Sequence, residues 1–187
     1  MTGVESVRLE RDPARFAQDP PIDTLVGLLA KRAATSPDCE FLRFAEGSWT
    51  FGEVDEWTSR LAHRLVVEDE VRPRDRVAIM LPNVVQWPIA WLAILEAGGV
   101  AVPVNSSFRS ADLEFVLRDS GARVVFTDAA HTPLVEEVRA VNGDLADVRI
   151  IEVASSGELA HYPSDRPVVV VTGDTLANLQ YLSLIHI

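Results

Sequence analysis

The chain has 187 residues, of which 48% are hydrophobic and 24% charged, with a formal net charge of -11 at pH 7. That balance excludes a disordered or fibrous protein and suffices for one domain with a sizeable core, or for part of something larger. The excess of acid repels phosphate backbones, so nucleic acid is not an expected partner. A single cysteine, Cys39, cannot close an internal disulfide, and residues 1–16 are charged throughout, without the apolar core of a signal peptide. A reducing, cytoplasmic location is the expectation. Residues 87–104 carry only Glu96 as a charge, but Gly98-Gly99 and Pro103 split them into a helix and a strand, each too short to cross a bilayer.

In chain order, a Pro-containing leader precedes Asp23-Thr24, which can cap a helix whose Leu25, Leu28, Leu29 and Ala33 share a face and which stops before Pro37. Glu40 to Phe44 alternates like a strand, Glu46-Gly47 turns, and Ser48-Trp49-Thr50 begins the return of a hairpin. The next helix has the best-specified start in the chain: Thr50 and Glu53 have capping-box spacing, and Trp49 with Val54 forms a hydrophobic staple. Val54, Trp57, Thr58, Leu61 and Leu65 make its inward stripe, leaving Asp55, Glu56, Arg60 and Arg64 to water. The acidic cluster Glu68-Asp69-Glu70 reads as a solvated loop.

Residues 76–81 are almost uniformly apolar, which suits a parallel strand covered on both faces. Asn83 is positioned to cap a following helix, buried between layers, with Trp87, Trp91, Ile94 and Leu95 on one side and Pro88 in its first turn. Strand and helix then alternate: strand 100–102, helix 110–120 closed by Gly121, strand 123–127, a helix from Thr132-Pro133 to Asn142-Gly143, strand 148–153. After a polar loop, residues 168–171 and 176–181 read as further strands. The predicted class is α/β: a partial doubly wound parallel sheet flanked by helices through right-handed crossovers, with an N-terminal β-hairpin.

Little catalytic equipment is visible. There is no G-x-x-x-x-G-K-[ST] or G-x-G-x-x-G loop, and Gly98-Gly99 reads as a helix end. His63, His131, His161 and His186 are scattered and read as surface residues; Cys39 has no evident His partner. The residues thus nominate no catalytic group and no metal set. Ligands of open parallel sheets bind beyond the carboxyl ends of the strands, which here are Leu81-Pro82-Asn83, Pro103-Val104-Asn105 and Thr127-Asp128. A Rossmann-type oxidoreductase would need a glycine-rich turn where Leu81-Pro82-Asn83 stands; a non-enzymatic receiver-like or protein-binding α/β module would need no phosphate loop.

In order and spacing, three stretches resemble the adenylate-forming, AMP-binding superfamily. Trp49 to Val54 is similar to its [ST]-Y-x-E-L motif. "RVAIMLPNVVQWPIAWLAILEAGGVAVPVN" (76–105) is similar to D-x-V-A-x-x-x-x-N followed by A-G-A-x-x-x-P-x-N, and "ADLEFVLRDSGARVVFTD" (111–128) to E-L-x-x-x-L-x-D-S-x-A-x-x-x-x-x-D. The resemblance runs from about residue 20 to residue 181. It implies activation of a small carboxylic acid with ATP and Mg²⁺ to an acyl-adenylate, then transfer to CoA or another thiol. The run from Asn105 to Arg109 looks more like stand-alone bacterial acyl-CoA ligases than peptide-synthetase adenylation domains, and by resemblance Val104, Asn105 and Ser106 form a turn near the CoA adenine. Where relatives carry turn glycines in G-V-x-x-G-D-R-V, this chain has Glu70 and Arg74, which are expected to distort a surface loop.

In the family, D-x-L-A-x-L-Q-Y leads into T-S-G-T-T-G-x-P-K-G, which cradles the ATP phosphates. Here Tyr181 is followed by Leu182-Ser183-Leu184-Ile185-His186-Ile187. Those six residues can be encoded by CTG-TCT-CTT-ATA-CAC-ATC, which resembles a transposon end used in preparing sequencing libraries. The expected organisation is a leader at 1–22, an incomplete AMP-binding synthetase/ligase domain at 23–181 and a non-native tail at 182–187, the whole lacking the apparatus to form an adenylate.

Overall fold

The computed structural model describes residues 24–153 and 157–182. The expected leader, and the expected tail beyond Leu182, lie outside them. Helix α1 (Leu25–Thr35) starts at Thr24, whose hydroxyl accepts the Gly27 N–H at 3.0 Å. Its buried residues are Val26 and Leu29, whereas Leu25 and Leu28 are exposed, so the expected Leu25/Leu28 stripe is one position out of phase with the face that packs. Strands β1 (Glu40–Phe44) and β2 (Gly47–Thr50) form the expected antiparallel hairpin. Helix α2 (Phe51–Val67) opens with the full capping box: the Glu53 N–H donates to Thr50 Oγ1 at 3.3 Å, and Glu53 Oε2 accepts the Thr50 N–H at 2.8 Å. Trp49 and Val54 join one apolar cluster.

Four parallel strands follow: β3 (Arg76–Ile79), β4 (Val100–Pro103), β5 (Val124–Thr127) and β6 (Arg149–Glu152), in the order β4-β3-β5-β6. Helices α3 (Gln86–Glu96), α4 (Ser110–Ser120) and α5 (Thr132–Val141) connect them, with a 3₁₀ turn at Gly143–Leu145. The two-residue period of a strand sends Val77, Ile79, Val124 and Phe126 to one face, against α1, α2 and α3. Ala78, Met80, Val102 and Val125 go to the other, against α4 and α5. Helices on both faces of a parallel sheet make this the expected doubly wound α/β arrangement.

Local chemistry ends the helices where expected. Gly98 (φ 75°) and Gly99 close α3 in a Schellman motif, donating to Leu95 O at 3.0 Å and Ile94 O at 2.8 Å. Gly121 closes α4 at φ 63°. Asn83 does not cap α3; the helix begins from Val85 without a side-chain cap, because residues 82–85 first turn through a Val84 N–H to Pro82 O bond. Within α3, Ile94 and Leu95 are buried as expected and so are Ile89 and Leu92 on the other side, which makes this a helix between layers, while Trp87 and Trp91 are only partly covered.

Both positions where glycine was expected and is missing adopt left-handed backbone: Glu70 at φ 53° and Arg74 at φ 75° are the positive-φ non-glycine residues among those described. Both side chains sit in a conformation that favours glycine, so the loop carries local strain. Neither is the acidic cluster simply solvated. Asp69 turns inward, 3.6 Å from Arg64, and burial pushes its carboxyl above the usual range against the pull of Arg64.

The largest departure lies after β6. Residues 168–171 form no strand, and residues 176–181 make only an isolated parallel bridge, Asn178 to Ala101, with Ala101 N–H donating to Ala177 O at 3.0 Å and Leu179 N–H to Ala101 O at 2.8 Å. Arg60, Arg64 and Asp55, expected to face water, are largely covered because residues 157–166 lie across them.

Candidate functional site

All four strands of the sheet point the same way, so their carboxyl ends open onto one edge, built by β4–α4, β5–α5 and the end of β6. At β4 the turn begins with Val104, which is buried and donates its N–H to Ile79 O at 2.9 Å. Asn105 is exposed; its Oδ1 accepts the Ser107 N–H at 2.9 Å and its carbonyl accepts the Phe108 N–H at 3.0 Å. This Asx turn explains why the chain can leave the strand and re-enter a helix within seven residues. Ser106 sits half-buried at its apex.

At β5 the edge is more polar. Asp128 Oδ1 accepts the His131 N–H at 3.0 Å and lies 2.5 Å from His131 Nδ1. The Thr132 hydroxyl is 2.7 Å from Glu152 Oε1 at the end of β6, and Thr127 beneath it is fully buried with an unpartnered hydroxyl. The sequence nominated this turn but not these partners, since Glu152 is twenty residues from Thr132. Mutual bonding makes the group an orienting network at the sheet edge and leaves no nucleophile–base pair in it.

Tyr181 lies beyond the outer side of β4, against α4. Its hydroxyl donates to Asp119 Oδ2 at 2.6 Å and its ring meets Phe115 edge-on at 6.1 Å; burial and the Asp119 carboxylate together push its ionisation up to about 12. Asn178 Oδ1 accepts the Trp91 indole N–H at 3.3 Å, which orients a ring expected to line the helix's inward side. Among the described residues, no group of three or more His, Cys, Asp or Glu side chains is arranged to hold a metal ion. No described helix is long and apolar enough to cross a membrane.

Of the other histidines, His186 lies outside the described residues, and His63 and His161 hold structural contacts. His63 Nε2 donates to Asp165 O at 2.8 Å, and His161 packs on Tyr162 with ring centroids 4.1 Å apart. Cys39 is exposed.

Comparison with known proteins extends this geometry. The AMP-binding enzyme family model matches residues 29–183. Over 184 residues, 98% of this chain, it is 31% identical to the phosphinothricin tripeptide synthetase PhsC of Streptomyces viridochromogenes, covering 16% of that protein. The oxalate–CoA ligase of Arabidopsis thaliana is 29% identical over 82% of this chain and 33% of its own length. A fatty acyl CoA synthetase from Mycobacterium tuberculosis superposes with a TM-score of 0.76 at 28% identity, over 84% of this chain and 32% of that one. The chain thus spans a third or less of these relatives.

Proposed function

Since the chain belongs to the AMP-binding enzyme family, we propose that it is the N-terminal part of an ATP-dependent acyl-CoA ligase, fatty acids being one substrate class. The reaction is carboxylic acid plus ATP plus CoA to acyl-CoA, AMP and pyrophosphate. One observation carries the reading. Residues 177–179 lie parallel on the outer edge of β4 and so run toward the carboxyl edge of the sheet, where parallel sheets bind their ligands.

The described residues do not fit ATP or Mg²⁺: they contain no metal set and no glycine-rich phosphate cradle. On this reading the piece is inactive by itself. What these residues supply is position. The Val104-Asn105-Ser106 turn is the proposed seat of the CoA adenine, and the bridge to β4 with the Tyr181–Asp119 bond holds residues 177–181 along the sheet and α4.

The test is pyrophosphate release by the complete reading frame with ATP, Mg²⁺ and a panel of fatty, aryl and amino acids, with and without CoA. CoA-dependent product from a fatty or aryl acid is the expected result; no turnover by the 187-residue chain alone is expected beside it. Adenylation of amino acids without acyl-CoA formation would replace this reading with a peptide-synthetase adenylation domain, which the likeness to the tripeptide synthetase favours. A cytoplasmic location belongs to the same proposal and is checked by fractionation.

A further inference from the structure

We infer that residues 157–181 act as one conformational unit, a strap latched to α2 and α3 by Arg60, His63 and Arg166, whose latches hold the terminal segment on β4. Sheet order sets the problem. β6 lies at one edge and residues 177–179 pair outside β4 at the other, so the chain must pass from edge to edge. Four interstrand spacings amount to about 19 Å, whereas about 24 residues of extended chain reach roughly 80 Å. The slack is not taken up by a helix: the described residues of the crossing form turns and bends. Something else must offset the entropy of ordering them.

The structure shows what does so. Arg60 Nη1 donates to Ala160 O at 2.6 Å and Tyr162 O at 2.7 Å, with Leu159 O at 3.4 Å. His63 holds Asp165 O. Arg166 pairs with Asp55 on α2 and reaches Glu96 Oε2 on α3 at 3.3 Å. Leu159, 2% exposed, plugs the core between these cations. Val169 then seats against Gly98, with its Cγ1 2.8 Å from where a Cβ would stand, before the chain reaches β4 and α4. Within residues 157–166 the backbone bonds are two local turns, Ala160 N–H to Gly157 O and Tyr162 N–H to Leu159 O. Release therefore breaks the side-chain latches and the two backbone bonds at Ala101 while β3 to β6 stay paired, as a locally opening unit does.

Native-state hydrogen exchange of the whole chain tests this. The amides of Ala160, Tyr162 and Leu179 should share one opening, and Arg60→Met, which keeps the apolar stem, should speed all three by a common factor of about tenfold or more. Met80 N–H, bonded to Phe126 O inside the sheet, should stay far better protected than these three, speeding up only through any loss of global stability, and reports that the variant folds. Arg166→Met should reproduce the pattern. Acceleration confined to Ala160 and Tyr162, with Leu179 unchanged, overturns the inference. Should both variants fail to fold, unsubstituted chain in graded denaturant decides: the three amides converge on one subglobal opening, or they open separately and the strap is not a unit. This outcome is independent of the proposed chemistry.

Discussion

The sheet body and the strap are held by opposite means. In residues 24–153 two apolar clusters enclose the strands, and Val77, Ile79, Val125 and Phe126 are wholly buried. Along residues 157–181 one large side chain, Leu159, is fully buried, Val168 and Val170 lie in the open, and attachment falls to cations, carbonyls and one buried carboxylate. Nondirectional burial tolerates shape errors, whereas a guanidinium aimed at three carbonyls is a geometric commitment. The body should therefore lose most from lost volume, and the strap from lost charge.

The largest expected effect is in the body. Phe126→Ala should destabilise by about 4 kcal/mol in chemical denaturation, because it empties a fully buried site between sheet and helices. A loss below about 1 kcal/mol would break the comparison at its firmer end.

Next comes Arg166→Met, which strands Glu96, a buried carboxyl whose oxygens have no good hydrogen-bond partner and whose ionisation burial already pushes above the usual range, against Arg166. Asp55 and His63 are the other titratable groups acting on it. Because the folded-state value is raised, the stability linked to Glu96 is fully present at low pH and is lost as pH rises through that value. Removing Arg166 raises it further. The variant should thus lose about 2 kcal/mol at pH 8, discounted because Arg166 is partly exposed, and clearly less at pH 5. A pH-independent loss would show that packing, not charge, fastens the strap.

Thr50→Ala should cost about 1 kcal/mol by thermal melting, since it removes half of the capping box on which α2 begins. Smallest and opposite in sign, Arg74→Gly should stabilise by about 0.5 kcal/mol, relieving a φ of 75° at some cost in chain entropy.

What the sequence showed and what it hid divide along the same line. Helix α4 and its Gly121 end were legible to the residue, because spacing, cap and left-handed turn all lie within a dozen positions. The capping box was legible for the same reason, and the parallel sheet followed from short alternating elements. Asn83 misled because a good capping residue needs the right backbone beneath it, and the Pro82 turn delays the helix. At the sheet edge the sequence named the Val104–Ser106 and Asp128 turns but not the Thr132–Glu152 contact. The strap was hidden almost entirely: Arg60 and Tyr162 are 102 positions apart, and an arginine on a polar helix face looks the same whether it meets water or carbonyls. Residues 176–181 looked like a strand because their composition is that of one, but strand status depends on neighbours, and here only Ala101 provides pairing.

Gly98 connects these two worlds. It was readable as a helix stop, and its lack of a side chain also leaves the gap into which Val169 fits. Any larger residue there would press on a segment 71 positions away and would also strain the left-handed turn that ends α3. A Gly98→Ala lesion would therefore be felt in two places at once, at its own address in the helix end and in the departing chain, and a survey that scored only local damage would record half of it.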